Sequence, residues 1–363
     1  MSAISDTVPH RQTALPAVSR RRILAAWLFF NASMVLAMAV IGAITRLTES
    51  GLSITVWQPL IGWQWPATPE QWQAAFELYR QTPQYQQVFA GMSLSEFKTI
   101  FFWEWFHRLW GRLIGLTFAV PLLFFALRGW IRRAQWPPIL GLLALGGLQG
   151  FMGWYMVQSG LVERVSVSHY RLAAHLGLAL LIFAALVKVG LGVLRPAAHS
   201  DAPTLGWRGH LWGCLAVLAV TIVWGAFVAG LDAGLIYNSF PLMGGGLLPS
   251  EAWFLSPAWL NALENHATVQ FIHRWLGIAT ALAVLGLWRR ARRFALPSGA
   301  RQAVNAAAFM VVVQVTLGIA TLLSQVALPL GAAHQAGAIL LLGSLVWVLH
   351  ETRRQTARTV ASV

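Results

Sequence analysis

Eight apolar stretches, at roughly 23–44, 100–127, 137–158, 169–193, 211–231, 267–288, 302–324 and 332–350, constrain this chain more than any other feature. Each is long enough to cross the ~30 Å hydrocarbon core of a bilayer, which takes about 20 apolar residues in a helix. Backbone amides in lipid must find partners within their own segment, so helices are the state these stretches adopt. With 57% hydrophobic residues, only 10% charged and a mean hydropathy of +0.61, most of the chain has lipid as its solvent. The expected class is an all-α polytopic membrane protein with eight transmembrane helices.

Basic residues set the expected orientation. Arg20, Arg21 and Arg22 precede the first stretch, and Arg128, Arg132 and Arg133 follow the second. Arg195 and Arg208 follow the fourth; Arg289, Arg290, Arg292, Arg293 and Arg301 follow the sixth; Arg353, Arg354 and Arg358 follow the eighth. The opposite loops hold only Arg46, Arg80, Lys98 and Arg164. Both termini are therefore expected to be cytoplasmic. The formal charge of +14 is spread over short inter-helix loops, so it reads as a topology signal and implies no nucleic-acid partner. The polar tail 1–22 lacks a cleavage-site pattern and reads as retained. Cys214, the single cysteine, lies in the fifth stretch. It excludes an intramolecular disulfide, a cysteine-based metal cluster and covalent heme attachment through a CxxCH motif.

His107, His175, His273 and His334 stand a few residues inside the second, fourth, sixth and eighth stretches. Ligand-type side chains at such depth are costly unless partnered and mark function. Under the expected topology all four lie one or two turns below the outer surface. An internal repeat relates them. His107-Arg108-Leu109-Trp110-Gly111 is echoed by His273-Arg274-Trp275-Leu276-Gly277, and Ala173-Ala174-His175 by Ala332-Ala333-His334. The third and seventh stretches also correspond, through Gln149 to Gly153 and Gln314 to Gly318. The chain therefore divides into two pseudo-symmetric four-helix bundles, 23–195 and 211–350, joined by a linker at 196–210 and followed by a tail at 351–363. An even number of helices per repeat gives both halves the same orientation. Two facing imidazoles across a bundle can hold a heme iron from both sides, so two pairs imply two heme sites. His10, His169, His199, His210, His266 and His350 lack repeat partners and are expected to be interfacial or solvated.

Glu104 precedes His107 by three residues and shares its helix face, whereas Gln270 holds the matching place before His273. One site thus carries a carboxylate able to take up protons, unless Glu104 simply pairs with Arg108 at i+4. Arg108, Arg112, Arg171 and Arg274 lie within a turn or so of the histidines, where a guanidinium pairs with heme propionates or bonds to loop carbonyls. The first outer loop, about 45–99, is long and rich in Trp, Gln and Pro, as expected of either an aromatic interface belt or a lid over a hydrophobic substrate.

Thr48-Glu49-Ser50-Gly51-Leu52-Ser53, Trp57-Gln58-Pro59-Leu60-Ile61-Gly62, Met92 to Ile100 and Trp103 to Arg112 resemble the heme A synthase family. So do Ala233 to Met243 and Val269 to Arg274, and the resemblance covers nearly the whole chain. It implies oxidation of the C8 methyl group of heme O to the formyl group of heme A, by successive hydroxylations, for use in terminal oxidases. It further implies a substrate heme between His107 and His175, a heme b cofactor between His273 and His334, and Glu104 as the acidic catalytic position. Heme O synthase and terminal oxidase assembly factors are implied as partners, with an electron acceptor of unspecified identity and room for a homo-oligomer. The implied location is the cell inner membrane, with both heme sites toward the periplasmic side. The loop lacks the cysteine pair of one subgroup, and Gly244 stands where an acidic residue is expected. Two other readings fit the histidines: a b-type diheme cytochrome that passes electrons from a quinol, and a parallel-repeat transporter with a histidine proton path.

Overall fold

The computed structural model describes residues 17–57, 62, 64–161, 165–195, 205–294 and 296–352. The tail before residue 17, residues 58–61 of the Trp57 motif, Arg164, His10, His199, most of the linker and the terminal arginines from Arg353 onward lie outside the described residues. Eleven α-helices follow in order among the described residues: α1 Ala17–Leu47, α2 Pro69–Arg80, α3 Pro83–Gln87, α4 Leu94–Leu127, α5 Trp136–Leu161, α6 His169–Leu194, α7 Leu205–Gly230, α8 Asn261–Glu264, α9 His266–Ala291, α10 Ser298–Leu323 and α11 Leu328–Glu351. All but α2, α3 and α8 are long and apolar enough to cross a membrane, which makes eight spans where eight were expected. The protein is a multi-pass membrane protein, and no strand occurs among the described residues, which hold one isolated bridge between Met243 and Gly246.

The second span is longer than its apolar stretch. Ser93 accepts from the amide of Glu96 at 3.3 Å and Glu96 accepts from the amide of Ser93 at 2.8 Å, a reciprocal cap that starts α4 six residues ahead of the apolar run. At about 1.5 Å per residue its 34 residues reach well beyond the bilayer core. Phe97 of the extension, with Ile100 and Phe101 at the head of the apolar run, packs with Trp72, Phe76 and Tyr79 of α2 into a small aromatic core. Among the described residues, the outer segment from Pro69 onward therefore packs as a cap on the start of α4.

Pro121 lies inside α4 and has no N–H to give to the carbonyl of Thr117. In lipid that carbonyl needs another donor. α1 supplies it: Trp27 Nε1 donates at 3.0 Å and Asn31 Nδ2 at 3.4 Å. The same α1 packs on α6, while α5 packs on α6, α7 on α9, and α10 on α9 and α11. Contacts of α1 with α11, and of α6 with both α7 and α11, join the two sets of spans. Leu24, Leu28, Phe118, Phe125 and Leu186 centre one buried cluster, which also takes in Ile339 of α11. Trp207, Leu211, Leu287, Val311 and Leu345 centre the other, together with the buried Cys214. Leu116, Val120, Leu123, Leu282 and Phe309 point outward, as lipid-facing residues should.

Candidate functional site

Each of the four repeat histidines is seated against a glycine on a neighbouring helix. A Cβ placed on Gly42 of α1 would stand 3.1 Å from Cε1 of His107, and one on Gly153 of α5 3.1 Å from Cε1 of His175. Gly225 of α7 and Gly318 of α10 stand in the same relation to His273 and His334, both at 2.9 Å. Real Cβ contacts are rarely so short, so each ring lies flush against a backbone that has no side chain to push it away.

The ring nitrogens differ in what holds them. His273 Nδ1 meets the carbonyl of Thr221 at 3.1 Å. His334 Nδ1 meets the carboxamide of Gln314 at 3.1 Å, and Gln149 reaches both ring nitrogens of His175, at 3.2 and 3.3 Å, while also donating to the His175 carbonyl at 3.1 Å. His107 Nδ1 is buried without a hydrogen-bond partner. The rings of His273 and His334 are 6.4 Å apart, centroid to centroid, and nearly perpendicular at 85°. Two imidazoles bound to one metal at the roughly 2 Å metal–nitrogen distance of such ligands would have centroids roughly 6.3 Å apart. Among the described residues no group of three or more His, Cys, Asp or Glu is arranged to hold a bare metal ion. Two imidazoles without further protein donors would suit a heme iron, which brings its remaining ligands with it and would supply redox chemistry there.

Glu104 is 3% exposed and engaged at both oxygens. Oε2 accepts from Ser53 Oγ at 2.8 Å and from the Ile54 amide at 2.7 Å, and Oε1 pairs with Arg108 at 2.5 Å. Arg108 then donates to the carbonyls of Ile54 at 2.8 Å and Val56 at 3.2 Å, with its guanidinium 5.5 Å from the Trp57 ring. The pairing with Arg108 foreseen as the alternative role of Glu104 is thus present, and it fastens the start of the outer cap to α4. The second half repeats the arrangement without the charge. Arg274 donates to the carbonyls of Tyr237 at 2.7 Å and Ser239 at 2.6 Å and to Gln270 Oε1 at 3.3 Å, while Gln270 donates to the Tyr237 carbonyl at 3.2 Å.

Sequence reasoning missed what precedes these latches. Ser50–Leu52 and Ala233–Leu235 each form a 3₁₀ turn, and the residue before each, Glu49 and Asp232, is left-handed at φ 52° and 53°. The signal was there in Glu49-Ser50-Gly51-Leu52 against Asp232-Ala233-Gly234-Leu235, hidden by outer loops of unequal length. Asp232 is bridged by Arg46 at 2.8 Å, a contact between the halves.

The remaining candidates are placed less closely. Arg171 lies 5.0 Å from the Tyr155 ring with one buried Nη free of hydrogen bonds, and Arg112 is half-buried on α4, a turn and a half beyond His107. Two of the unrepeated histidines depart from expectation. His169 is 3% exposed because α6 begins at it, under the last residue of α7, and its ring lies 4.0 Å from that of Tyr170. His350 is buried at the C-terminal end of α11, whereas His266 is exposed as expected. Outside the spans, burial and then the charge of Glu104 push the Tyr79 phenol up, and the Tyr237 hydroxyl, donating to Glu251, holds that carboxyl below its ordinary range.

Fold and site together define an eight-span helical membrane protein with glycine-seated histidines suited to axial ligation. The chain belongs to the cytochrome oxidase assembly protein family, whose model matches residues 25–346. It is 56% identical to the heme A synthase of Rhodospirillum centenum over 96% of this chain and 93% of that one. It is 48% identical to the heme A synthase of Nitrosospira multiformis, over 97% of this chain and 99% of that one, and 49% identical to that of Parvibaculum lavamentivorans, over 90% and 93%.

Proposed function

We propose that this chain is a heme A synthase, an oxidoreductase that converts the C8 methyl group of heme O into the formyl group of heme A. The kinship with heme A synthases along nearly its whole length carries the reading. The site supports a finer assignment. His273 and His334 hold a heme b cofactor, and His107 and His175 the substrate heme; the 6.4 Å ring separation in the second pair and the four glycine seats favour this. When bound, the heme iron supplies the redox chemistry for removing electrons from the methyl group.

The chain's own residues position and protect. The glycines let the imidazoles approach edge-on, the aromatic cap over α4 keeps water from the outer end of the first site, and the lipid-facing spans admit an apolar, farnesylated substrate from the bilayer. Arg108 and Arg274 are committed to loop carbonyls, and Arg171, with one buried Nη that has no hydrogen-bond partner, is the guanidinium available to meet a propionate. Glu104, one turn outward of His107, takes up protons released from the methyl group, and its donors at Ser53, Ile54 and Arg108 hold the carboxyl group in place. The arginine distribution supports an inner-membrane setting with cytoplasmic termini and both sites toward the periplasm. It also supports the division into an amino-terminal substrate bundle and a carboxy-terminal cofactor bundle of like orientation.

Extraction and identification of the bound hemes test the activity. Purified protein is expected to yield heme b together with heme O, its alcohol or heme A; heme b alone would point to an electron carrier. Glu104→Gln is expected to keep the heme b spectrum and to block heme A formation, with Gln270→Ala much milder. Normal heme A yield from Glu104→Gln would leave Glu104 as a latch only.

A further inference from the structure

The two halves differ in how one pair of helices closes. α10 packs along α9, whereas α5 has few contacts with α4 and leans on α6 instead. The repeat that sets Gln149 against Gln314 sets Leu143 and Gly146 of α5 against Ala308 and Val311 of α10. Ala308 and Val311 are buried, but Leu143 and Gly146 are exposed. The same helix face is thus covered in one half and bare in the other.

The bare stretch has two ends. Beside the turn that joins α4 to α5, Phe118 and Leu122 share a buried cluster with Ile139 and Leu142. Near the far end of α5, Leu52 of the cap closes on Gly160, where a Cβ would stand 2.9 Å from its methyl group. Between these closures Leu143, Gly146 and Gly150 form one exposed line on α5, and Gly115 is exposed on α4. A Cβ on Gly115, Gly146 or Gly150 would meet nothing within 4 Å. In the second half the matching residues are Ala281, Val311 and Val315, and both Ala281 and Val311 pack into the buried cluster there. The opening borders the first histidine pair: Gln149, on the same stretch of α5, bonds the His175 ring, and His107 stands about two turns from Gly115 on α4.

We propose that the gap between α4 and α5 is the lateral window through which a farnesylated heme enters from the lipid and leaves again, and that Ala281 and Val311 shut its counterpart on the cofactor. This rests on the assignment of the substrate heme to His107 and His175. A heme that stays and a heme that is exchanged make opposite demands on one fold, and the side chains differ where those demands differ. A route through lipid also keeps the apolar surface of the tail and macrocycle out of water throughout.

Uptake of heme O from neutral phospholipid vesicles by purified full-length protein carrying heme b, followed by absorbance, tests this. Gly146→Trp is expected to slow uptake and release alike by about tenfold, the effect of about 1.4 kcal/mol on a barrier, with affinity and heme b content unchanged. Gly115→Ala combined with Gly146→Val installs the side chains of the second half. It is expected to slow both rates by a smaller factor, and it replaces the Trp variant if that protein loses heme b. Val312→Trp, at an exposed position on α10, is expected to change neither rate. Unchanged rates in the Gly146 variants, or a loss of affinity at an unchanged uptake rate, overturn the window. Normal heme O binding by a protein carrying both His107→Ala and His175→Ala overturns instead the substrate assignment on which it rests.

Discussion

A histidine at membrane depth is only as useful as the surface it lies on. All four rings here lie against glycine, and the distances leave no space for a methyl group: a Cβ at Gly225 or Gly318 would stand 2.9 Å from Cε1 of the facing ring. Gly225→Ala and Gly318→Ala are therefore expected to tilt His273 or His334 and to cost about 1–3 kcal/mol through overpacking. The measurement is heme b content and the low-spin spectrum of purified variants. Gly213→Ala on the same α7 is the control. Nothing lies within 4 Å of that position, so the change is expected to leave the spectrum intact and, through helix propensity, to stabilise by up to about 1 kcal/mol. A normal spectrum in Gly225→Ala would show that the ring tolerates displacement.

Among elements, the two outer latches carry the clearest contrast. Removing Arg108 strands Glu104, a buried carboxylate, and breaking such a pair typically costs about 3–5 kcal/mol. Removing Arg274 strands a neutral Gln270 and two carbonyls, at about 1–3 kcal/mol. Arg108→Leu is thus expected to lower the thermal unfolding midpoint in detergent more than Arg274→Leu, and adding Glu104→Gln to Arg108→Leu to restore part of the loss. Equal effects would mean that Glu104 takes up a proton when its partner goes. The spans themselves were legible because length and hydropathy decide helix in lipid, and His107, His175, His273 and His334 because the repeat set them in register. What lay beyond reach depended on contact across helices. Nothing in the neighbourhood of Gly42 or Gly225 says that a ring from another helix will rest there. The pairing of Gln149 and Gln314 was visible as a repeat, but its purpose needed the imidazoles beside it. The early start of α4 was written in Ser93-Leu94-Ser95-Glu96 and was masked by polar residues there that stay exposed around the buried Phe97.

For the whole molecule, orientation and closure follow from the same arrangement of spans. Reporters at residues 70 and 250 are expected to read out on the periplasmic face and one at residue 131 on the cytoplasmic face; the reverse would move both histidine pairs to the other side of the membrane. The ion pair Arg46–Asp232 ties the halves at the outer surface, yet the Asp232 side chain is 52% exposed, so Arg46→Gln is expected to cost less than about 1 kcal/mol in thermal stability. The seam is held by packing instead. α1 lies against α11, with Leu47 so close to Gly331 that a Cβ there would stand 2.8 Å from its methyl group. α1 therefore enters the bilayer well before α11, the helix that completes it, has been made. Throughout synthesis that flank of α1 faces lipid or an insertion chaperone, and a chain cut short before α11 presents it to the cell's quality control as unfinished.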